Sequence, residues 1–246
     1  DRPSPGGGTS RPVGTTRVGA AAPPSSRRGT ASIGRVMRVF LGVTGASGAP
    51  YAARALSALT AAGHEVGLCV SRSGAHVLSH ELLHQGPDAP ADPDAVVATL
   101  IEDHADPAGR VEVLGLQQMT SPFASGSART TRGALVIPCS GSTMGAIAHG
   151  VGANLIHRCA DVMLKERRPL VLVPRETPLS AVHLENMLTL TRAGATVLPA
   201  APGFYNLPRS VDDLVDFIVG KALDHLGVEH RLLRRWGESP TSAETA

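Results

Sequence analysis

Six short apolar segments alternate with segments of helical periodicity along this chain, and this alternation limits the fold more than any other feature. The pattern predicts strands over residues 38–44, 65–70, 111–114, 134–138, 170–173 and 195–198. It predicts helices over residues 49–62, 74–84, 94–104, 143–149, 153–166, 180–191 and 211–226. Apolar strands that are joined by helices form a parallel sheet covered on both faces. We therefore predict an α/β fold of three layers, with a doubly wound parallel sheet in a single domain.

The two ends of the chain differ in composition from the part between them. Residues 1–36 are rich in Gly, Pro, Ser, Thr and Arg and lack apolar periodicity. Such a segment cannot bury enough apolar surface to offset the entropy of ordering it, so we expect a disordered leader. Met37 is the expected natural start, and a transit peptide is the alternative. The folded domain is expected over residues 37–236, followed by a flexible tail over 237–246.

Composition excludes several classes of protein. The chain has 246 residues, of which 42% are hydrophobic, and its net charge of +2 does not indicate a general nucleic-acid surface. No apolar run approaches the roughly 18–20 residues of a membrane-spanning helix. Its three cysteines are odd in number and form no CxxC pair, so neither a disulfide framework nor a structural zinc site is expected. They are Cys69, Cys139 and Cys159. We predict a cytoplasmic protein.

The first predicted strand ends in a turn of very small residues, within the segment VTGASGAPYAAR. Gly45, Ala46 and Ser47 lie where this strand leads into a helix. The helix-start amides and the Ser47 hydroxyl can hold an anion, often a phosphate. A tight turn with a serine cap explains the same residues, and the sequence leaves both readings open. The second strand ends in Ser71, where dinucleotide enzymes commonly carry an acid, and this favours a mononucleotide.

A second turn of the same kind follows the strand ALVIP and reads CSGSTMG. It offers hydroxyls and free amides at another helix start, from Ser140, Gly141, Ser142 and Thr143. Ligands of open parallel sheets bind at the carboxyl ends of the strands. Two such loops therefore favour a ligand site over two capped helix starts, although the second reading stays possible. Cys139 beside this loop is a weak candidate nucleophile, because no His–Asp pairing accompanies it.

Charged and aromatic residues follow two later strands. Arg175 and Glu176 come directly after a buried strand, where an arginine can grip phosphate and a carboxylate can move protons. Lys165 ends a helix in the run KERR, in which a solvated helix end is the simpler reading for the two arginines. Phe204 and Tyr205 lie in a Pro- and Gly-rich loop, where they pack as a plug or wall a ligand pocket.

Three histidines recur at intervals of four residues in the segment HVLSHELLH. His76, His80 and His84 would lie on one face of a single helix. Metal binding would require further ligands, and the sequence offers no other ligand cluster nearby. We therefore interpret them as a polar stripe and predict no metal site.

Taken together, three segments resemble the flavin prenyltransferase (UbiX) family. They are VTGASGAPYAAR, the stretch from PCSGSTMG through KERRPLVLVPRETPLS to NMLTL, and LPAAPGFYNLPRSVDDLVDFIVGKALDHLG. The resemblance covers about residues 37–236. It implies a flavodoxin-like (Rossmann-like) flavoprotein domain that binds FMN, in a homo-oligomer that is usually a dodecamer with active sites at subunit contacts.

The resemblance also implies a reaction. The dimethylallyl group of dimethylallyl monophosphate is joined to reduced FMN, which gives prenylated FMN and phosphate without a metal. The product is the cofactor of UbiD-type decarboxylases. The sequence leaves open whether the prenyl donor is a monophosphate or a diphosphate, and which decarboxylase receives the product.

The resemblance assigns roles to particular residues. It assigns FMN binding to Gly45, Ala46, Ser47, Ser71, Ser140, Gly141, Ser142, Thr143 and Arg158. It assigns the prenyl phosphate to Lys165, Arg175, Tyr205 and Lys221, and catalysis to Ser47, Glu81 and Glu176. Lys221 stands where some members carry arginine, and Met119 where some carry tryptophan. Glu176 together with Ser47 is expected to protonate the departing phosphate and later to accept a proton.

Two other functions remain open. An FMN-dependent cysteine decarboxylase shares the expected fold, but the phosphate-binding set KERRP…PRE would then have no purpose. A flavin-binding subunit of a decarboxylase system, without chemistry of its own, is the second alternative.

Overall fold

The computed structural model describes residues 36–86, 89 and 92–233. Its strands are β1 (Arg38–Val43), β2 (Glu65–Val70), β3 (Arg110–Val113), β4 (Thr131–Cys139), β5 (Leu170–Pro174) and β6 (Thr196–Val197). Its helices are α1 (Ala49–Ala61), α2 (Arg72–Glu81), α3 (Pro93–His104), α4 (Gly141–Ala148), α5 (Leu155–Lys165), α6 (Ala181–Ala193) and α7 (Val211–Leu226). A single 3₁₀ turn, Pro122–Ala124, precedes β4.

The strands form one parallel sheet in the order β3-β2-β1-β4-β5-β6. Two apolar clusters cover its faces. One contains buried residues of α1, α2, α3 and α7, and the other contains those of α4, α5, α6 and the 3₁₀ turn. Because alternate strand residues point to opposite faces, β1 contributes Val39 and Leu41 to the first cluster and Phe40 to the second. The predicted three-layer, doubly wound fold is confirmed.

Most element boundaries lie within two residues of those predicted, and two differ by three residues. β4 begins at Thr131, three residues before its apolar run, because Thr131 and Gly133 pair with the start of β1. α2 ends at Glu81, and His84 lies beyond it with a φ of 54°. The prediction that one helix carries three histidines was therefore wrong for His84. The leader and tail predicted at the chain ends lie almost wholly outside the described residues.

The strand order reverses direction between β1 and β4, so the loops after these strands flank the crevice where ligands of such sheets bind. Thr44, directly after β1, joins the two loops. Its hydroxyl donates to the Pro138 carbonyl at 2.9 Å and accepts from the Ser140 amide at 2.7 Å. The two small-residue turns predicted from the sequence are thus held side by side.

The three cysteines are buried and unpaired. Burial raises the pKa of the Cys139 thiol to about 12, which makes a poor nucleophile of the cysteine next to the second turn. Within the part of the chain that the structure describes, no helix is both long and apolar enough to cross a membrane.

Candidate active site

The loop after β1, residues 44–48, which we call the first loop, lies against a carboxylate side chain of the same chain. Glu81, in the last turn of α2, accepts hydrogen bonds from the amides of Gly48 and Ala49 at 2.9 and 2.8 Å. These are the amides at the start of α1, which the sequence analysis offered to a phosphate. Here a carboxylate from a neighbouring helix satisfies them and complements the positive end of α1.

The small residues of this loop have reasons within the fold. A Cβ at Gly45 would lie 2.5 Å from the Cβ of Ser73, where the loop packs against the start of α2. Gly48 has a φ of 129°, in the region that residues with side chains rarely adopt. Packing within the protein thus explains Gly45 and backbone conformation explains Gly48, in agreement with the reading of this loop as a tight turn.

Two side chains from other parts of the chain meet at Ser47. The Ser47 hydroxyl is hydrogen-bonded to the Glu81 carboxylate. Arg175, directly after β5, donates from Nε to the Ser47 carbonyl at 3.1 Å, and its guanidinium also acts on Glu81 electrostatically. We call Ser47, Glu81 and Arg175 the first-loop cluster. It brings together three residues that the resemblance assigned to catalysis or to phosphate.

Opposing influences set the charge of Glu81. Burial raises the pKa of its carboxyl, but hydrogen bonds from Ser47, Ala49 and Gly48, together with the positive charge of Arg175, outweigh burial and lower the pKa below its ordinary value. Glu81 is therefore ionised at neutral pH, so it is suited to accept a proton rather than to donate one.

Glu81→Gln is expected to make stability less dependent on pH. A carboxyl whose pKa is lowered by folding adds stability above its unfolded pKa, and this stability is lost as the pH falls through its folded pKa. The wild type should therefore exceed Glu81→Gln in free energy of unfolding at pH 7, and the difference should close in acid. Urea unfolding at several pH values measures it. Exposed Glu176→Gln is the control, and a difference that persists unchanged in acid would contradict the assignment.

Glu176 follows Arg175 but takes no part in the bonds of the first-loop cluster. It is exposed, and its carboxylate accepts from the amide of Thr177 at 3.2 Å. The structure thus pairs Ser47 with Glu81, whereas the resemblance implied a pairing with Glu176. Glu176 still lies at the carboxyl end of β5, the same edge of the sheet as the first-loop cluster.

The loop after β4, residues 140–143, which we call the second loop, has hydrogen-bond donors without a partner among the described residues. Ser140 caps α4, where its Oγ accepts from the Thr143 amide at 3.3 Å and lies 3.1 and 3.0 Å from the hydroxyl oxygens of Ser142 and Thr143. Among the described residues, no partner bonds to the amides of Gly141 and Ser142. A helix start with free amides and hydroxyls suits a phosphate, so these residues fit the mononucleotide that the sequence predicts.

Ser71 has a structural role in addition to any contact with a ligand. It caps α2 and accepts from the Gly74 amide at 3.0 Å, and its own amide donates to the Val43 carbonyl at 2.9 Å. Ser71 therefore fixes the start of the helix that carries Glu81. The sequence analysis offered Ser71 as evidence on the class of nucleotide and, through the resemblance, as an FMN contact.

Among the described residues, no hydrogen bond or ion pair joins Arg158 or either of the two lysines to this edge of the same chain. Arg158 on α5 donates to the Ala124 carbonyl at 3.0 Å and to Asp161 at 2.6 Å. Lys165 ends α5 and pairs with Glu166. Because α5 leads into β5, Lys165 lies at the amino end of that strand, whereas Arg175 follows the carboxyl end.

Lys221 lies in the second half of α7, on its exposed side. This helix ends at Leu226, which packs near Gly133 at the start of β4. Lys221 therefore lies toward the same amino edge of the sheet as Lys165. The five residues of β5 span about 16 Å, at about 3.3 Å per residue, and this length separates the amino edge of the sheet from the carboxyl edge.

The aromatic loop after β6 is exposed. Phe204 and Tyr205 expose 68% and 75% of their surface, so the reading of these residues as a packed plug was wrong for both. Met119, which stands where some members of the resembling family carry tryptophan, exposes 41%. Among the described residues, no group of three or more His, Cys, Asp or Glu side chains is arranged to hold a metal ion.

Two polar residues of this edge were missed by the sequence analysis. Thr44 joins the two loops, but it was counted only as the last residue of a strand. His183 on α6 lies against Gly141 of the second loop. A Ser180–x–x–His183 spacing resembles a capping box and was the available signal for the histidine.

The comparison with known families agrees with the fold and the loops. Residues 31–223 match the flavoprotein family. A flavin prenyltransferase UbiX of Halalkalibacterium halodurans is 50% identical over 198 residues, which cover 80% of this chain and 92% of that protein. The flavin prenyltransferase UbiX of Pseudomonas aeruginosa is 48% identical over 201 residues, covering 82% and 94% of the two chains.

Solved structures give the same result. AnUbiX (PadA1), crystallised with FMN and dimethylallyl pyrophosphate, has a TM-score of 0.71 and 40% identity, and the match covers 84% of this chain and all of that one. A dodecameric FMN-dependent UbiX-like decarboxylase from Escherichia coli O157:H7 has a TM-score of 0.67 and 40% identity, over 79% and 97% of the two chains. With the parallel sheet and both loops in place, the chain belongs to the flavoprotein family and, within it, to the flavin prenyltransferases of the UbiX type.

Proposed function

We propose that this chain transfers the dimethylallyl group of dimethylallyl monophosphate to reduced FMN and releases phosphate. The observation that carries the proposal is the first-loop cluster next to a second loop with unused donors. Ser47, Glu81 and Arg175 come from three elements and meet at the edge where parallel sheets bind ligands. Relatives that are about half identical to this chain are flavin prenyltransferases.

The second loop is the proposed seat of FMN. Gly141, Ser142 and Thr143 begin α4, and Ser140 caps it, so amides and hydroxyls point toward one place. Gly45, Ala46, Ser47 and Ser71 lie across the crevice from it and would bound the rest of the nucleotide. Reduced FMN supplies the nucleophilic flavin ring to which the prenyl group is attached.

Arg175 is proposed to hold the phosphate of the prenyl donor. Its Nε donates to the Ser47 carbonyl, which holds the guanidinium, and its other N–H groups make no hydrogen bond among the described residues. Bidentate donors suit a phosphate and stabilise negative charge that develops on a departing one. Tyr205 lies in an exposed loop at the same end of the sheet, where a phenol can also donate to phosphate.

Proton transfer is proposed for two carboxylates. Glu81 is ionised and bonded to the Ser47 hydroxyl, so this pair can accept a proton and pass it on through the serine. Glu176 is exposed beside Arg175 and is the better placed group to protonate the phosphate as it leaves. The mechanism thus divides between the two carboxylates the roles that the sequence analysis gave to Glu176 and Ser47.

We propose that a second subunit completes the site. Lys165 and Lys221 lie toward the opposite edge of the sheet from Arg175, so they can join a phosphate there only from another copy. α6 supports such contact, because it buries only Asn186 and Leu190 among its residues and leaves three apolar side chains exposed. These are Val182, Leu184 and Leu188. A dodecamer is the proposed assembly, in line with one relative of that size.

One assay separates the candidate functions. Purified protein with reduced FMN and dimethylallyl monophosphate is expected to yield free phosphate and a flavin heavier by one prenyl group, as measured by mass spectrometry. Dimethylallyl diphosphate in a parallel sample decides which donor is used. An FMN-loaded protein that leaves the flavin mass unchanged with both donors would refute the proposal. Carbon dioxide from a cysteinyl substrate would favour a cysteine decarboxylase instead.

Two further assignments belong to the proposal. The prenylated FMN is proposed to pass to a decarboxylase of the UbiD type, as the resemblance implies. A cytoplasmic location is the sequence prediction that accompanies it.

A further inference from the structure

His183 is placed at the second loop by the start of α6. Ser180 and His183 form a reciprocal capping box, in which the Ser180 Oγ accepts from the His183 amide and the His183 Nδ1 accepts from the Ser180 amide, both at 3.3 Å. An imidazole nitrogen that accepts a hydrogen bond carries no proton, so the neutral ring carries its proton on Nε2. The cap therefore turns Nε2 into a fixed donor.

This donor faces the start of α4. A Cβ built on Gly141 would lie 2.8 Å from Nε2 of His183, so the ring rests on the glycine at the first position of the helix. One turn further along, Gly145 lies beneath the amide of Asn186 in the same way, at 3.2 Å. Two glycines of α4 thus lie where polar side chains of α6 pack against that helix.

The groups that gather around Gly141 are nearly all donors. They are the free amides of Gly141 and Ser142, the hydroxyls of Ser142 and Thr143, and the Nε2–H of His183, whereas the Ser140 hydroxyl donates to Thr143 Oγ1. A flavin ring offers both donors and acceptors along its edge, whereas a phosphate offers only acceptors. A set of donors at a helix start matches the phosphate.

We propose that His183 binds the phosphate of FMN at the second loop through its Nε2–H, and that the Ser180 cap fixes the ring for this purpose. The inference rests on the proposed function, since it names one further residue for the nucleotide of that site. It also explains Gly141, because any larger residue would displace the imidazole.

His183→Glu tests the proposal. Glutamate at this position keeps the capping box, since its carboxylate can accept from the Ser180 amide, but it offers no donor and adds a negative charge. FMN should then bind at least tenfold to about one-hundredfold more weakly, because a charge-assisted hydrogen bond is lost and a negative charge is placed against the phosphate. Riboflavin, which lacks the phosphate, should bind as it does to wild type. Quenching of flavin fluorescence measures both affinities.

His149→Glu is the matched control, because His149 is an exposed histidine at the other end of α4 and undergoes the same change of charge. It should leave both affinities unchanged. Equal losses of FMN and riboflavin in His183→Glu would mean that the histidine only supports the helix, and an unchanged FMN affinity would also overturn the inference. A wild type that binds neither flavin would refute the proposed function itself.

Discussion

Glu81→Gln is expected to slow prenyl transfer by about one-hundredfold or more while FMN stays bound. Positioned acid–base groups contribute about 10²- to 10⁴-fold to rates, and Glu81 is the carboxylate bonded to the Ser47 hydroxyl. Glutamine keeps the size of the side chain and can still accept from the start of α1, so the loop should remain in place. Release of phosphate and the mass of the flavin measure the rate under saturating FMN.

Glu176→Gln provides the comparison. This exposed residue should also slow turnover, because it is proposed to protonate the departing phosphate, but its loss should not alter stability. The two variants should differ most in their pH dependence of unfolding, since only Glu81 is held by helix-start amides. Prenyl transfer by Glu81→Gln at nearly the wild-type rate would remove Glu81 from the mechanism.

Phe123→Ala is expected to lower the free energy of unfolding by about 3–5 kcal/mol, the usual cost of removing a buried aromatic ring. Phe123 is fully buried and packs against Phe40, with ring centroids 5.5 Å apart. The guanidinium of Arg38 lies 4.7 Å from the centre of the Phe123 ring. The ring also covers Gly67 in the middle of β2. Denaturant unfolding measures the loss.

A double-mutant cycle isolates this contact. Gly67→Ala alone should destabilise the protein by about 1–3 kcal/mol, because its Cβ would overlap the Phe123 ring. In the Phe123→Ala background the same change should cost little, since the ring is gone. Equal costs in both backgrounds would show that the overlap is not what excludes a side chain at residue 67.

Much of this architecture could be read from local pattern. Short, mostly apolar runs of four to seven residues, separated by segments of helical periodicity, predict a parallel sheet, because helices then cover both faces of such strands. The same logic predicts that Gly45–Ser47, Ser140–Thr143 and Arg175 share one edge, since the carboxyl ends of parallel strands lie together. The resemblance to UbiX proteins added the identity of the ligands, which periodicity cannot supply.

The boundaries that failed did so for nonlocal reasons. β4 begins early because its first residues pair with β1, and pairing depends on a strand about ninety residues away in the chain. His84 leaves the helix although HVLSHELLH reads as helical throughout, and its positive φ shows that the chain turns there. Periodicity gives the faces of an element more reliably than it gives its ends.

The sequence by itself determined the layers of this protein, the edge that carries its loops and the residue types available there, because these follow from patterns within a few turns of chain. Only the tertiary structure decided that Glu81 accepts from the amides at the start of α1, that His183 rests on Gly141, and that Lys165 and Arg175 lie at opposite edges of one sheet. The physical reason is that such partners are chosen by how helices pack across the sheet, and the contacts between them join residues far apart in sequence.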